Sequence, residues 1–348
     1  MNAVDRSTQQ RSDKSMDQFS AHLDRGWDLV QKGDTRGAEA SARQALDLDP
    51  QSPEAYNLLG YVAALDGDAY EAVEHYCQAV ALDETYLEAM LNAAESYIHP
   101  LAQFDDAIQM CEQALNLTES DEEVIDTLLL MFDALLGKSD FAAARSVVMR
   151  IPTGPYDNPN HTFLVGRAFY EIGEVARAAP LIEDAAKKDP MQGEAWYYLG
   201  LIRDERGDPH GATEAFLHAR EVDLREPPLP WSSPREIFQK AVQGAIDALD
   251  PAFKQFIDEA EVFLTEVPGI ELVADGVDPR ALLLLDGLAS PEFPGPPCGR
   301  MFVYQRNVER VSGSPDRLEP ILQEALEREI AATFLETPSE PPDGSMMN

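Results

Sequence analysis

This sequence is short of cations. It holds 27 Lys and Arg against 63 Asp and Glu, a formal net charge of −36. Nucleic acids and anionic membrane surfaces are polyanions held through Lys and Arg. The balance therefore excludes both as partners and leaves room for a basic one. Cysteine is scarce as well. Cys77, Cys111 and Cys298 follow no zinc or redox spacing, and an odd, sparse set makes no disulfide framework. A reducing, cytoplasmic setting is the expectation. No apolar run approaches the ~18 residues that cross a bilayer. Residues 1–17 lack the apolar centre of a signal peptide or anchor. Histidine is missing from the whole C-terminal third. His22, His75, His99, His161, His210 and His218 all precede residue 225 and sit at ordinary helix or loop positions. There is no Gly-rich phosphate loop and no Gly-x-Ser-x-Gly. Cys298 has no histidine near it in sequence. Nucleotide binding and nucleophilic hydrolysis thus have nothing to stand on, and no cofactor is expected.

What is present is a repeat. One unit starts at Pro53 and carries Tyr56, Leu59, Gly60, Gly67-Asp68, Ala72, Tyr76 and Ala79. The same types return 140 residues on as Trp196, Leu199, Gly200, Gly207-Asp208, Ala212, Phe216 and Ala219. A third copy carries Gly166, Phe169, Gly173, Ala178, Ala185 and Pro190. Each position has a physical reason. The aromatic and Leu form the inner face of the first helix. Gly and Ala let helices approach closely. Gly-Asp makes the turn, and Pro50 and Pro190 end the second helix, because proline cannot continue one. The pattern, with Trp-x-x-Leu-Gly at Trp196–Gly200, resembles the tetratricopeptide repeat, a helix–turn–helix unit of about 34 residues. Six units are expected, starting near 19, 53, 87, 121, 159 and 192. Pro100 falls in a turn and 153–158 is an insertion.

The resemblance implies a helical solenoid over 19–224, behind a disordered tail at 1–18. Its groove is lined by the first helix of each pair. Repeats of this kind bind protein or peptide segments and have no chemistry of their own. The expected groove positions are Asn57, Tyr61, Glu95, Arg167, Tyr170, Tyr197, Leu201 and Glu205. Their acidic, aromatic character suits a basic or amphipathic ligand. The Lys/Arg/Asn clamp for a terminal carboxylate is not visible. Packing of the solenoid onto its own C-terminal domain is an equal alternative.

Prolines at 227, 228, 230 and 234 mark a linker over 225–236. Beyond it we expect a helix at 234–249, a second short helix within 253–267, and a strand at 269–274. An apolar segment at 281–288, a strand at 300–305 and a last helix from Pro315 to about Leu335, capped by Ser314, complete the order. Residues 337–348 are expected to be a disordered tail. Along the last helix, Leu322, Ala325, Leu326 and Thr333 share a face, with Glu329 in its middle.

This order, with Leu282-Leu-Leu-Leu-Asp-Gly287 and Arg328-Glu-Ile-Ala-Ala-Thr-Phe-Leu335, resembles the minimal zincin family of small bacterial metallopeptidase-like domains, over about 237–336. The family's last helix carries His-Glu-x-x-His-His-Phe-Gly. Glu329, Ile330 and Phe334 match it, but both metal positions do not. A zincin holds its metal on two imidazoles at i and i+4, with the intervening Glu as general base. Arg328 cannot ligate a cation, and Ala332 has no donor atom. Thr337 stands where the family has an acidic residue. The resemblance therefore implies a mostly α protein, a repeat solenoid followed by a small α+β zincin-like domain that binds no metal and is catalytically inactive. Glu329 would be a relic satisfied by Arg328, Arg300, Arg306 or Arg310. One alternative is an active hydrolase with a non-standard, carboxylate-only metal site, Glu329 with Glu324, Glu327 or Asp286. Another is a last helix that merely caps the solenoid.

Overall fold

The computed structural model describes residues 3–289 and 295–335. It divides into two compact units, 1–185 and 186–348. The tail expected at 337–348, Thr337, and part of the Pro/Gly loop lie outside the described residues.

The first unit contains α1 (Ala3–Gln31), α2 (Thr35–Leu48), α3 (Pro53–Leu65), α4 (Ala69–Leu82), α5 (Leu87–Ile98), α6 (Phe104–Ala114), α7 (Asp121–Gly137), α8 (Phe141–Val148), α9 (Pro159–Glu171) and most of α10 (Val175–Lys188). These are the predicted pairs, and Pro100 and the 153–158 insertion fall between helices. At the N-terminus α1 starts at Ala3, so residues 3–18, expected as a tail, continue the helix. Within each pair the two helices pack together, and each odd-numbered helix also touches the next, α1 on α3, α3 on α5, α5 on α7 and α7 on α9. The odd helices thus form one continuous face.

The repeat's small residues make the pairs close. Ala38, Ala42, Ala45, Ala72 and Ala79 have no exposed surface. A β-carbon on Gly60 would stand 2.6 Å from the Tyr76 ring, and one on Gly166 would stand 2.9 Å from Ile182. The turns are equally regular. Gly67 has φ of 84°, and the following Asp68 accepts from the Glu71 backbone N–H at 3.0 Å. An Asp side chain there satisfies one of the orphan donors of the second helix. Asp34, Asp140 and Asp208 cap α2, α8 and the second helix of the last pair in the same way, each at 3.0 Å.

The second unit opens with the sixth pair, α11 (Gly193–Glu205) and α12 (Pro209–Arg225). After the linker come α13 (Arg235–Ala248), α14 (Pro251–Lys254), β1 (Glu261–Thr265), α15 (Ile270–Ala274), β2 (Leu283–Asp286), β3 (Arg300–Tyr304), α16 (Gln305–Ser312) and α17 (Leu318–Ile330). A 3-10 turn, Pro315–Arg317, leads into α17, and a π turn, Ala331–Leu335, follows it. Ser314 precedes that turn without a side-chain capping bond. The strand order is β1-β3-β2, with β1 parallel and β2 antiparallel to β3. Leu264, Val303 and Leu283 are in register, as are Met301 and Leu285. All five lie in one core cluster with Phe238, Val242 and Ala245 of α13 and Leu322, Leu326 and Ile330 of α17. The last helix therefore packs on α13 and on a sheet of its own region, which sets aside the reading of it as a plain cap on the repeats.

Two expected elements change type. Residues 269–274 form the helical turn α15, not a strand: Val273 N–H donates to Gly269 O at 3.1 Å and Asp275 N–H to Glu271 O at 2.9 Å, the i to i+4 bonds of a helix. The helix expected within 253–267 stops at Lys254, and Val262, Phe263, Leu264 and Thr265 enter β1 instead. β-Branched and aromatic residues pair well on a pleated surface, and β3 supplies the partner that a one-dimensional pattern cannot display.

In the fourth pair the turn glycine is replaced by Ser139, which keeps the same left-handed conformation at φ of 60°. Side chains with a β-carbon pay about 1–2 kcal/mol there, partly offset by the chain entropy of glycine. Ser139→Gly is expected to stabilise the first unit by about 0.5–1 kcal/mol, read as a higher urea midpoint. An unchanged midpoint would mean that the turn is not strained.

Candidate interaction surface

The repeat length reappears as a contact spacing on the odd-helix face of the first unit. Asn57 of α3 accepts from Asn92 Nδ2 of α5 at 3.1 Å. It also donates to Tyr86 Oη and to Glu88 Oε1, both at 3.2 Å. Asn57 is fully buried, so this predicted groove position is a tie between helices and is not open to a ligand. Burial, reinforced by the charge of Glu88, pushes the Tyr86 phenol up to about 12. His161 of α9 reaches Asp126 Oδ1 of α7 at 2.8 Å. Arg167 of α9 meets both Asp133 carboxylate oxygens at 2.9 and 3.1 Å. Desolvation holds the Asp133 carboxyl above its ordinary range, against the opposing pull of Arg167. Arg167 is thus engaged, and Tyr170 lies half-buried beside it on α9.

Tyr61 and Glu95 are different, for both are exposed on α3 and α5. Tyr61 takes the ring of Trp27 edge to face, with centroids 5.4 Å apart. Trp27, Tyr61 and Glu95 follow one another at the repeat spacing of about 34 residues. Trp27 was not among the residues read from sequence, although that spacing alone points to it.

In the second unit part of the corresponding helix face is covered. Tyr197 of α11 donates its hydroxyl to Asp278 Oδ2 at 2.9 Å, and the Arg280 guanidinium lies over its ring at 4.5 Å. Burial, then the neighbouring Asp278 charge, raises the Tyr197 phenol above its usual value. Arg280 also meets Glu194 at 2.5 Å, and its Nε and Nη2 reach the two oxygens of Asp223 at 3.2 Å. Arg310 Nη1 donates to Asp223 Oδ2 at 2.9 Å. Arg306 Nη1 donates to the main-chain oxygens of Asp223 at 3.1 Å and Glu226 at 2.9 Å. Arg220 Nε donates to Pro268 O at 2.6 Å. Of the predicted positions on α11, Leu201 is half-buried and Glu205 is exposed. The Asp223 side chain is only 4% exposed, so truncating it removes the buried carboxylate that two guanidinium groups share. Asp223→Ala is expected to destabilise the second unit by about 3–5 kcal/mol, measured by denaturant unfolding. A loss under about 1 kcal/mol, the worth of an exposed pair, would show that the cluster carries no structural weight.

The α17 carboxylate keeps its expected place on the helix wheel. Leu318, Leu322, Ala325, Leu326 and Ile330 make the buried face, and Glu329 falls between Leu318 and Leu322 by angle, half-buried in the last turn of the helix. The helix turns its core side to α13 and β2, and that centres the face on Leu322 and Leu326. Three of the four arginines suggested as Glu329's partner are committed elsewhere. Arg300 pairs with Asp286 at 2.8 Å, Arg306 with Glu266 at 3.2 Å, and Arg310 with Asp223. Desolvation raises the Glu329 carboxyl above its ordinary 4.5, opposed by Arg328. The donor set does not fit a catalytic zinc: Arg328 is exposed and cationic, Ala332 has no donor, and no histidine follows His218. Nor are carboxylates gathered for a harder cation. Asp286 is paired with Arg300, Glu327 accepts from Gln323 Nε2 at 2.9 Å, and Glu324 is exposed. Among the described residues no group of three potential ligands converges.

A carboxyl raised on folding binds more protons in the folded state than in the unfolded one, so its contribution falls as pH rises through the window above 4.5. Glu329→Gln removes that titration. The variant is expected to gain stability relative to the parent as pH rises from 4 to 7, as read by thermal melts. A difference independent of pH would place Glu329 in water.

Residues 23–86 and 164–223 match a tetratricopeptide-repeat model, and residues 88–117 match a second model of that repeat. Among solved structures, PilF of Pseudomonas aeruginosa is 18% identical, with a TM-score of 0.53 over 61% of this chain and 95% of that one. PilW, a widely conserved type IV pilus biogenesis factor, is 16% identical, with a TM-score of 0.52 over 60% of this chain and 94% of that one. At such identities the likeness is one of fold. No curated protein matches the chain in sequence. Among the described residues no helix is long and apolar enough to cross a membrane.

Proposed function

We propose that this chain, a tetratricopeptide-repeat protein, is a protein-interaction scaffold that takes a basic, amphipathic protein segment on the odd-helix face of its first unit. The observation that carries this is the row Trp27, Tyr61, Glu95, one repeat apart, with Tyr61 and Glu95 open to solvent. Aromatic rings attract Lys and Arg over their faces, and a carboxylate completes the site. Arg280 supplies an example from the second unit: there a guanidinium is held by an odd-helix tyrosine and carboxylates. Tyr197 is thereby engaged, and of the predicted positions Asn57 and Arg167 serve structure. Tyr61 and Glu95 remain as the residues offered to a partner.

The region 237–336 is read as a zincin-like domain that has lost metal and catalysis and contributes by binding. The support is chemical: Arg328 and Ala332 occupy the positions where imidazoles would stand. A reducing, cytoplasmic setting is supported by the free thiols of Cys77, Cys111 and Cys298.

The test is fluorescence anisotropy on the full chain with a labelled peptide of alternating leucine and lysine turns, about 15 residues long, enough for a marginal helix. Binding is expected to weaken about tenfold or more, ~1.4 kcal/mol, in the Tyr61→Ala/Glu95→Lys variant, and to be absent for a glutamate version of the peptide. Equal affinity in parent and variant would overturn the assignment.

A further inference from the structure

β1 is an open edge. In the order β1-β3-β2 it is paired on one side, with β3, among the described residues. Glu261 N–H donates to Gly299 O at 3.0 Å, and this sets the phase of the ladder. In a parallel pair alternate residues address the neighbouring strand. Glu261, Phe263 and Thr265 therefore face β3, and Val262 and Leu264 turn their N–H and C=O groups outward.

Open edges are templates for another strand, and proteins blunt them with Lys, Pro or bulges. The sequence Glu261-Val-Phe-Leu-Thr265 has none of these, and its register with β3 is unbroken. Alongside the edge runs a groove of about 390 Å³ between β1 and α13, lined by Arg235, Gln239, Val242, Ile246, Val262 and Phe302 among others. Val262 is 39% exposed. At one end stands Arg235, exposed and, among the described residues, without an ion pair. Its end of the groove is fixed by Gln305, which follows the residue registered with Thr265 and donates Nε2 to Ser233 O at 2.7 Å. In a chain with 63 acids and 27 bases, a guanidinium left without a partner at a groove mouth is a local inversion of charge.

We propose that the α13–β1 groove takes an extended partner segment as a fourth strand. The segment's backbone pairs with Val262 and Leu264, its alternate apolar side chains lie along Ile246 and Val262 on the α13 side, and a single carboxylate meets Arg235. Such strand addition draws affinity from the main chain and specificity from alternate side-chain pockets. A second copy of this chain is the poorer occupant, since pairing β1 with β1 sets two chains of −36 edge to edge. The site is independent of the odd-helix face.

The experiment uses the full chain and two peptides of about ten residues, a length natural to a strand. They alternate valine and threonine, with aspartate at one end or the other. Amide exchange at Val262 and Leu264 is expected to slow about tenfold or more when one of them saturates the protein. Val262→Pro removes an outward N–H without touching the ladder to β3 and is expected to cost about tenfold in affinity. Arg235→Glu weakens binding of the aspartate peptide, and replacing that aspartate by lysine restores it. Should Val262→Pro unfold, the charge swap decides alone. The Tyr61→Ala/Glu95→Lys variant binds these peptides as the parent does. Unchanged exchange at Val262 and Leu264 under saturating peptide would overturn the proposal. So would affinity indifferent to Arg235→Glu, or protection that grows with protein concentration alone.

Discussion

The helix pairs rest on one steric constraint, the absence of a β-carbon where two helices cross. At Gly60 the Tyr76 ring occupies the space a side chain would need, and Ile182 does the same at Gly166. Close-packed interiors tolerate no added volume at such points. The aromatic or branched partner is therefore tied to its glycine, and the distance between the helices of a pair follows. That distance lets each odd-numbered helix meet the next, which makes a continuous face from short local units. The alanines at Ala72, Ala79, Ala212 and Ala219, all buried, repeat the constraint along the second helix of the pair.

The second unit is governed by charge instead. Asp223 is buried and shared by Arg280 and Arg310, while Arg306 holds the main chain beside it. A buried carboxylate is costly unless fully paired, and here the pairing fixes the loop bearing Asp278 and Arg280 against α11 and α12. The result has a functional side. Tyr197, which stands at the repeat position of Asn57, likewise spends its side chain on the protein itself. Which odd-helix residues are available for recognition is thus set by what the chain has already covered.

The repeat was legible because its causes are local and recur: an aromatic, a Leu-Gly step, a Gly-Asp turn and alanines at fixed offsets. The C-terminal strands were less so. Residues 261–265 carry β-branched and aromatic side chains, but they sit within an apolar run that a helix also permits, and only pairing with β3 decides between them. Residues 269–274 failed in the other direction, their partial alternation outweighed by a turn of i to i+4 bonds. Glu329 keeps the central place on its helix face that the periodicity predicts, between Leu318 and Leu322 by angle, and only the structure shows that its position in the last turn of α17 leaves it half-buried.

Local side-chain chemistry was enough to establish the repeat, its six helix pairs, the break near the prolines at 227–234, and the absence of metal-ligating side chains at Arg328 and Ala332. These follow from side-chain chemistry and short-range spacing. It took the tertiary structure to show that Asn57 and Arg167 are buried or paired, that Tyr197 is covered while Tyr61 is open, and that, among the described residues, β1 ends a sheet with one edge free. Each of those depends on which distant residue arrives as a neighbour, and burial, pairing and exposure are properties of the neighbour as much as of the residue.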